Sequence, residues 1–239
     1  AGPQRDHAML LVRSRHDQVR HGAARQVADH AIALVHRLPG GAAVASESIW
    51  RAVARARELD TPVVASFGDV AASGGYYLAC GADRIVAQPT TITGSIGVVG
   101  GKLVTGGAWE RLGVTWSHVS AGANASRFAP DLPFDDHQWA RFQTYLDDVY
   151  ELFKRRVAEG RDLDPERVEE LARGRVWIGC EAAQHGLVDD LGGLREAVAI
   201  AQDLAGLPAQ RPARVEVHPQ RSRLPWRRLA QQRRQVAAV

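Results

Sequence analysis

The chain has 239 residues, 45% of them apolar, and a formal charge of 30 − 27 = +3, the make-up of one large α/β domain or one domain with extensions. Nothing in that composition argues for disorder through the middle, and no apolar run approaches the roughly 18 residues of a membrane span. Cys80 and Cys180 lack CxxC spacing, which excludes a disulfide framework and a thiolate metal site.

Residues 1–37 are rich in Arg and His, and only 8–12 and 31–35 read as strands. His16, His21, His30 and His36 have no companion acids placed for zinc, so no metal and no cofactor is implied. There is no initiating Met and no apolar leader, so a fragment, or one half of a larger polypeptide, is expected. The run AIALV enters a turn, Leu38-Pro39-Gly40-Gly41, and a helix follows. Ser46 or Ser48 would cap it, with Ile49, Trp50, Val53, Ala54 and Ala56 on its apolar face and the arginines opposite.

An apolar strand over 63–67 is stopped by Gly68-Asp69 and followed by a small-residue turn, Ser73-Gly74-Gly75. Residues 76–81 fit a buried helix and 84–87 a second buried strand. Strand, helix and strand in succession make βαβ crossovers, hence a mostly parallel sheet layered with helices. Beyond Gly97 come a glycine-rich connector, a short helix over 109–112, a strand over 114–119 and a loop to 133. A long amphipathic helix over 135–160 carries Trp139, Phe142, Leu146, Val149, Leu152 and Phe153 on one side, a stripe that reads as core or subunit contact. Pro165 opens another helix and Gly174 ends it. From Gln210 onward eight arginines face one acid, Glu216; such a tail is a solvated end or meets anionic lipid. Only Trp226 interleaves it, so nucleic-acid binding is not proposed.

A serine at a strand-to-helix turn, flanked by glycines, exposes its hydroxyl beside backbone N–H groups. Those are a nucleophile and the donors a developing oxyanion needs. The same Ser73 also fits a plain helix N-cap, with the glycines there for close packing.

The stretch DVAASGGYYLACGADRIVAQPTTITGSIGV resembles the signal peptide peptidase (protease IV) family of serine peptidases, within the Clp protease and crotonase structural group. Two further segments resemble that family in the same order: LPGGAAVASESIWRAVARAR (38–57) and GRVWIGCEAAQHGLVDDLGGLREAV (174–198). The resemblance covers about residues 38–207. It implies an α/β fold of Clp protease/crotonase type there, with 1–37 left as an uninterpreted segment and 208–239 as an Arg-rich tail. It also implies that Ser73 is the nucleophile, that Gly74 and Gly40 supply the oxyanion-hole N–H groups, and that Ser95 holds the catalytic lysine. Leu38 departs from the family's usual Ser before the Pro.

The resemblance also expects a lysine in the region of residues 121–130, and AGANASRFAP has none. Arg127 cannot stand in, since its guanidinium stays protonated. Lys102 and Lys154, the two lysines of the chain, are not at the family position. A family variant with two tandem halves resolves this, the first half giving the lysine and the second the serine. The expected partners are then a hydrophobic peptide such as a signal-peptide remnant, a lysine-bearing N-terminal half or neighbouring subunit, further copies in a homo-oligomer, and a membrane surface at the periphery of a bacterial-type cell membrane. Two alternatives stand beside it: a non-catalytic homologue that binds peptide or only assembles, and a crotonase-type acyl-CoA enzyme. A Ser-His-Asp arrangement from His118 or His137 with Asp131, Asp135 or Asp136 is not forced by spacing or order.

Overall fold

The computed structural model describes residues 7–13, 30–207 and 214–218. The chain begins with two strands, β1 (His7–Arg13) and β2 (His30–Leu38), then helix α1 (Ala43–Glu58), strand β3 (Val63–Ala72), the short helix α2 (Gly74–Ala79) and strands β4 (Arg84–Ala87) and β5 (Ile92–Gly94). It continues through α3 (Gly106–Arg111), the long α4 (Asp136–Arg161), α5 (Pro165–Leu171), β6 (Val176–Ile178), α6 (Gly179–Gln184), β7 (Asp190–Leu191), α7 (Leu194–Leu204) and β8 (Arg214–His218). The Arg-rich tail, apart from β8, and most of the first 37 residues lie outside the described residues.

One sheet holds all the strands, in the order β6-β5-β3-β2-β1-β8 with β4 and β7 branching from β3. The pairings β2·β3, β3·β4, β3·β5 and β4·β7 are parallel, and the edges β1·β2, β1·β8 and β5·β6 are antiparallel. This is the mostly parallel, helix-layered α/β architecture expected of the Clp protease/crotonase type.

The centre of the sheet is β3, and its alternation explains why it reads as a continuous apolar run. Val63, Ala65, Phe67 and Ala71 face the core formed by α2, α4 and α5, while Val64 faces Ala197 and Ala201 of α7 and Ala205 just after it. A strand covered on both faces has no polar side to show. The strand does not stop at Gly68-Asp69, as the sequence suggests, but runs to Ala72. Its first half pairs with β4 through residues 64–66 and its second with β5 through 70–72, so its edge forks at Gly68. At the fork the Thr91 hydroxyl donates to Gly68 O at 2.7 Å, which satisfies the carbonyl that neither partner strand reaches.

Three other expectations change. Helix α1 starts at Ala43 with Ala42 as N-cap; Ser46 is buried, and the Ser48 hydroxyl bonds back to Val44 O at 2.8 Å, so neither serine caps it. Residues 114–119 alternate like a strand but pair with no strand among the described residues and form an irregular segment after α3. The helix opened by Pro165 ends at Leu171, and the reversal follows through Arg173 (φ 56°) and Gly174 (φ 70°). Helix α4 begins as expected: Asp135 accepts from Gln138 N at 2.7 Å in a capping box. Among the described residues no helix is long and apolar enough to cross a membrane.

Candidate active site

Ser73 sits where β3 gives way to α2. Its N–H donates to Gly94 O at 2.8 Å, fastening the turn to β5, and its carbonyl accepts from Tyr77 N at 2.8 Å to open the helix. Between these bonds the backbone takes φ 51°, ψ −121°, a conformation side chains rarely adopt. The hydroxyl makes no capping bond to α2. The helix-cap reading of Ser73 is therefore set aside: the bend holds the side chain off the helix it precedes.

The small residues around Ser73 are required by close approach. A Cβ on Gly74 would stand 2.7 Å from Gly41 N and 2.8 Å from Ser46 Oγ, and one on Gly75 would stand 2.4 Å from Leu38 O. The Pro39-Gly40-Gly41 turn is thus pressed directly against the start of α2, and a Cβ on Gly40 would lie 4.0 Å from Ser73 Cβ. His36 Nε2 meets Gly75 O at 3.0 Å and closes the back of the junction. On the other side Ser95 also has positive φ, 49°, and its N–H donates to Arg175 O at 2.7 Å.

Gly40, Ser73, Gly74 and Ser95 line one cavity of about 560 Å³, so the structure brings the four expected site residues together. Its far wall is apolar: Val98 and Val99, Phe128, and Phe142, Leu146 and Phe153 from α4. A second lobe of about 470 Å³ opens past Ser73 and Ser95 toward Asp147, Tyr150 and Arg173. The aromatic stripe of α4, read from sequence as core or subunit contact, is in part the wall of this cleft.

Behind the cleft a charged network ties three helices together. The Glu47 carboxylate of α1 accepts from Tyr77 Oη of α2 at 2.8 Å and from Arg156 Nη2 of α4 at 2.8 Å, and Arg156 stacks 3.8 Å from the Trp50 ring. Burial works to raise the Glu47 carboxyl, but hydrogen bonds from Arg156, Arg51 and Tyr77 outweigh it and hold it at about 2. Burial raises the Tyr77 phenol, and so does its bond to Glu47. Arg51 stands four residues along the same helix, but the sequence does not signal Tyr77 and Arg156, which lie 30 and 109 residues from Glu47.

Neither lysine lines the cleft. Lys102 Nζ donates to Arg127 O at 2.7 Å and Ala129 O at 3.4 Å, and sits 4.3 Å from the centre of the Phe134 ring. Lys154 donates to Glu151 and Glu169; those hydrogen bonds raise its pKa, the opposite of what a proton acceptor needs. His118 does pair with an acid, Asp131, at 2.6 Å, but neither lines either lobe, and His137 lies exposed on α4. A Ser-His-Asp constellation around Ser73 is not formed within the described residues. No group of three or more His, Cys, Asp or Glu among them is gathered to hold a metal.

The family model for peptidase family S49 matches residues 55–208, more than half of the chain. The chain belongs to peptidase family S49. The S49 match contains Ser73, Gly74 and Ser95, while the Pro39-Gly40-Gly41 turn precedes it. The chain is 40% identical over 171 residues to the chloroplastic serine protease SPPA of Arabidopsis thaliana, 71% of this chain and 25% of that one. It is 40% identical over 169 residues to Protease 4 of Haemophilus influenzae, 70% of this chain and 27% of that one. To a putative signal peptide peptidase SppA of Enterococcus faecium it is 38% identical over 160 residues, 67% of this chain and 46% of that one. This S49 chain thus spans between a quarter and a half of the length of these relatives.

Proposed function

We propose that this chain is the serine-bearing part of an S49 serine endopeptidase that cleaves hydrophobic peptides such as signal-peptide remnants, its catalytic lysine supplied by another domain or subunit. The observation that carries the reading is Ser73 itself, uncapped, at φ 51°, on a turn shared with Gly74, Gly40 and Ser95. In the proposed reaction the incoming neutral lysine takes the Ser73 hydroxyl proton as the oxygen attacks the scissile carbonyl. The Gly40 and Gly74 N–H groups stabilise the oxyanion of the tetrahedral intermediate. The lysine returns the proton to the leaving amine, and water, activated by the same lysine, hydrolyses the acyl-enzyme. Ser95 orients that lysine. The apolar lobe takes the substrate's hydrophobic side chains. The copies assemble at a membrane periphery, and a lysine-bearing N-terminal half or neighbouring subunit of different sequence meets the cleft there.

The test is turnover of a hydrophobic fluorogenic peptide by wild type and Ser73→Ala, alone and with a lysine-bearing N-terminal half. Activity only with the added half, reduced at least about a thousandfold by Ser73→Ala, is the expected result. Turnover by the chain alone places the base within it. Absence of turnover in both conditions points to the non-catalytic homologue, a reading favoured by the lack of lysine and histidine along the cleft among the described residues.

A further inference from the structure

Lys102 has a place in the fold that the peptidase reading does not use. The carbonyls its ammonium holds belong to Arg127 and Ala129, the residues on either side of Phe128. Phe128 lines the apolar lobe, and its ring meets Phe142 edge-on at 6.1 Å and Phe134 at 6.4 Å. The ammonium lies 4.3 Å from the centre of that same Phe134 ring. Residues 126–131 lie between α3 and α4 and are fastened at their two ends, by Gln138 Nε2 to Ser126 Oγ at 3.1 Å, by Thr105 N and Oγ1 to Pro130 O at 2.7 and 3.1 Å and by His118 to Asp131 at 2.6 Å. Between them Lys102 holds the carbonyls on either side of Phe128. Lys102 follows Gly100 and Gly101, which form the facing rim of the lobe. A single cation therefore spans from one rim to the loop that supplies the other.

We propose that Lys102 is a positioning residue for substrate selection: by holding the carbonyls that bracket Phe128 it fixes that ring as a wall of the apolar subsite and selects substrates with a bulky apolar side chain there. The inference rests on the peptidase reading of the cleft. It assigns Lys102 a charged, donor-only role, so arginine, which can also donate to two carbonyls and stack on an aromatic ring, can replace it, whereas a base could not be so replaced.

The experiment measures binding, without turnover, of two fluorescein-labelled peptides to the full chain carrying Ser73→Ala: one leucine-rich, one of alanine and serine. Adding Lys102→Met is expected to weaken the leucine-rich peptide about tenfold and leave the alanine-serine peptide within about twofold, while Lys102→Arg keeps the parent's preference. Phe128→Ala is expected to reproduce the Lys102→Met pattern, and the double variant to add nothing further. Should Lys102→Met fail to fold by circular dichroism, the Lys102→Arg and Phe128→Ala arms decide the matter. Unchanged selectivity in Lys102→Met, or in Phe128→Ala, overturns the inference and leaves the peptidase reading standing. A parent that binds neither peptide overturns that reading, and the inference with it. In the reconstituted enzyme, Lys102→Arg is expected to keep kcat and the pH profile; their loss would make Lys102 the base and reject the positioning role.

Discussion

At Ser73 two energies compete. A non-glycine residue at φ 51°, ψ −121° costs about 1–3 kcal/mol of backbone strain. Replacing it by glycine releases that strain but adds about 0.4–1 kcal/mol of unfolded-chain entropy to be lost on folding. The strain term is the larger, so Ser73→Gly is expected to be more stable to urea than Ser73→Ala by about 1 kcal/mol, both being inactive; a Ser73→Gly midpoint below that of Ser73→Ala would mean the bend stores no strain. Gly74 has the opposite character, since the Cβ of alanine must displace Gly41 N, now 2.7 Å from its position. Gly74→Ala is expected to separate the two turns that flank Ser73 and lower kcat about a hundredfold with little change in KM. A change confined to KM would remove Gly74 from the oxyanion site. These glycines and the serine were legible in the sequence because a strand, a small-residue turn and a buried helix are local patterns. Lys102 was not, because its partners are backbone carbonyls 25 and 27 residues away, and carbonyls leave no trace in residue type.

The elements whose patterns are local, β1, β2, α1, the first half of β3, α2, β4, α4 and α5, are the ones the sequence shows. Those it misses depend on a neighbour: β6 and β7, of three and two residues, are too short to carry a period, and β3 passes its glycine only because Thr91 and β5 meet it there. The alternation over 114–119 fails for the converse reason, a strand pattern with no strand beside it among the described residues. The junction of α1, α2 and α4 through Glu47 is likewise tertiary, and it carries a pH dependence. The folded carboxyl ionises at about 2 against 4.5 for the free side chain. Its contribution is therefore fully present above pH 4.5 and is lost as the pH falls from 4.5 through about 2. Wild type is expected to lose urea stability across that interval more steeply than Glu47→Gln, and to be the more stable of the two above it. Parallel curves would mean that the three helices meet without the carboxylate's help.

For the whole molecule the decisive feature is where apolar side chains remain in water. Val99, Leu103, Leu112 and Val119 are 95%, 80%, 73% and 105% exposed, all within one segment that starts at the lip of the cleft. Soluble monomers seldom leave so many large apolar groups open in one region, and a stable protein interface needs about 1,200–2,000 Å² of buried surface. The proposed assembly gives this segment its cover, and it does so next to the site that lacks a lysine. The chain is thus expected to sediment as an oligomer at micromolar concentration, and Leu103→Glu with Val119→Glu to shift it to the monomer while circular dichroism stays unchanged. Both positions are open to solvent in the single chain, so a charge there costs the fold little. If the oligomer persists in the double variant, the copies meet elsewhere, and the segment from 98 to 119 must be covered by something other than a second copy. If wild type is itself a monomer, a second copy does not cover this segment, and reconstitution with a lysine-bearing N-terminal half is the test of where the base comes from.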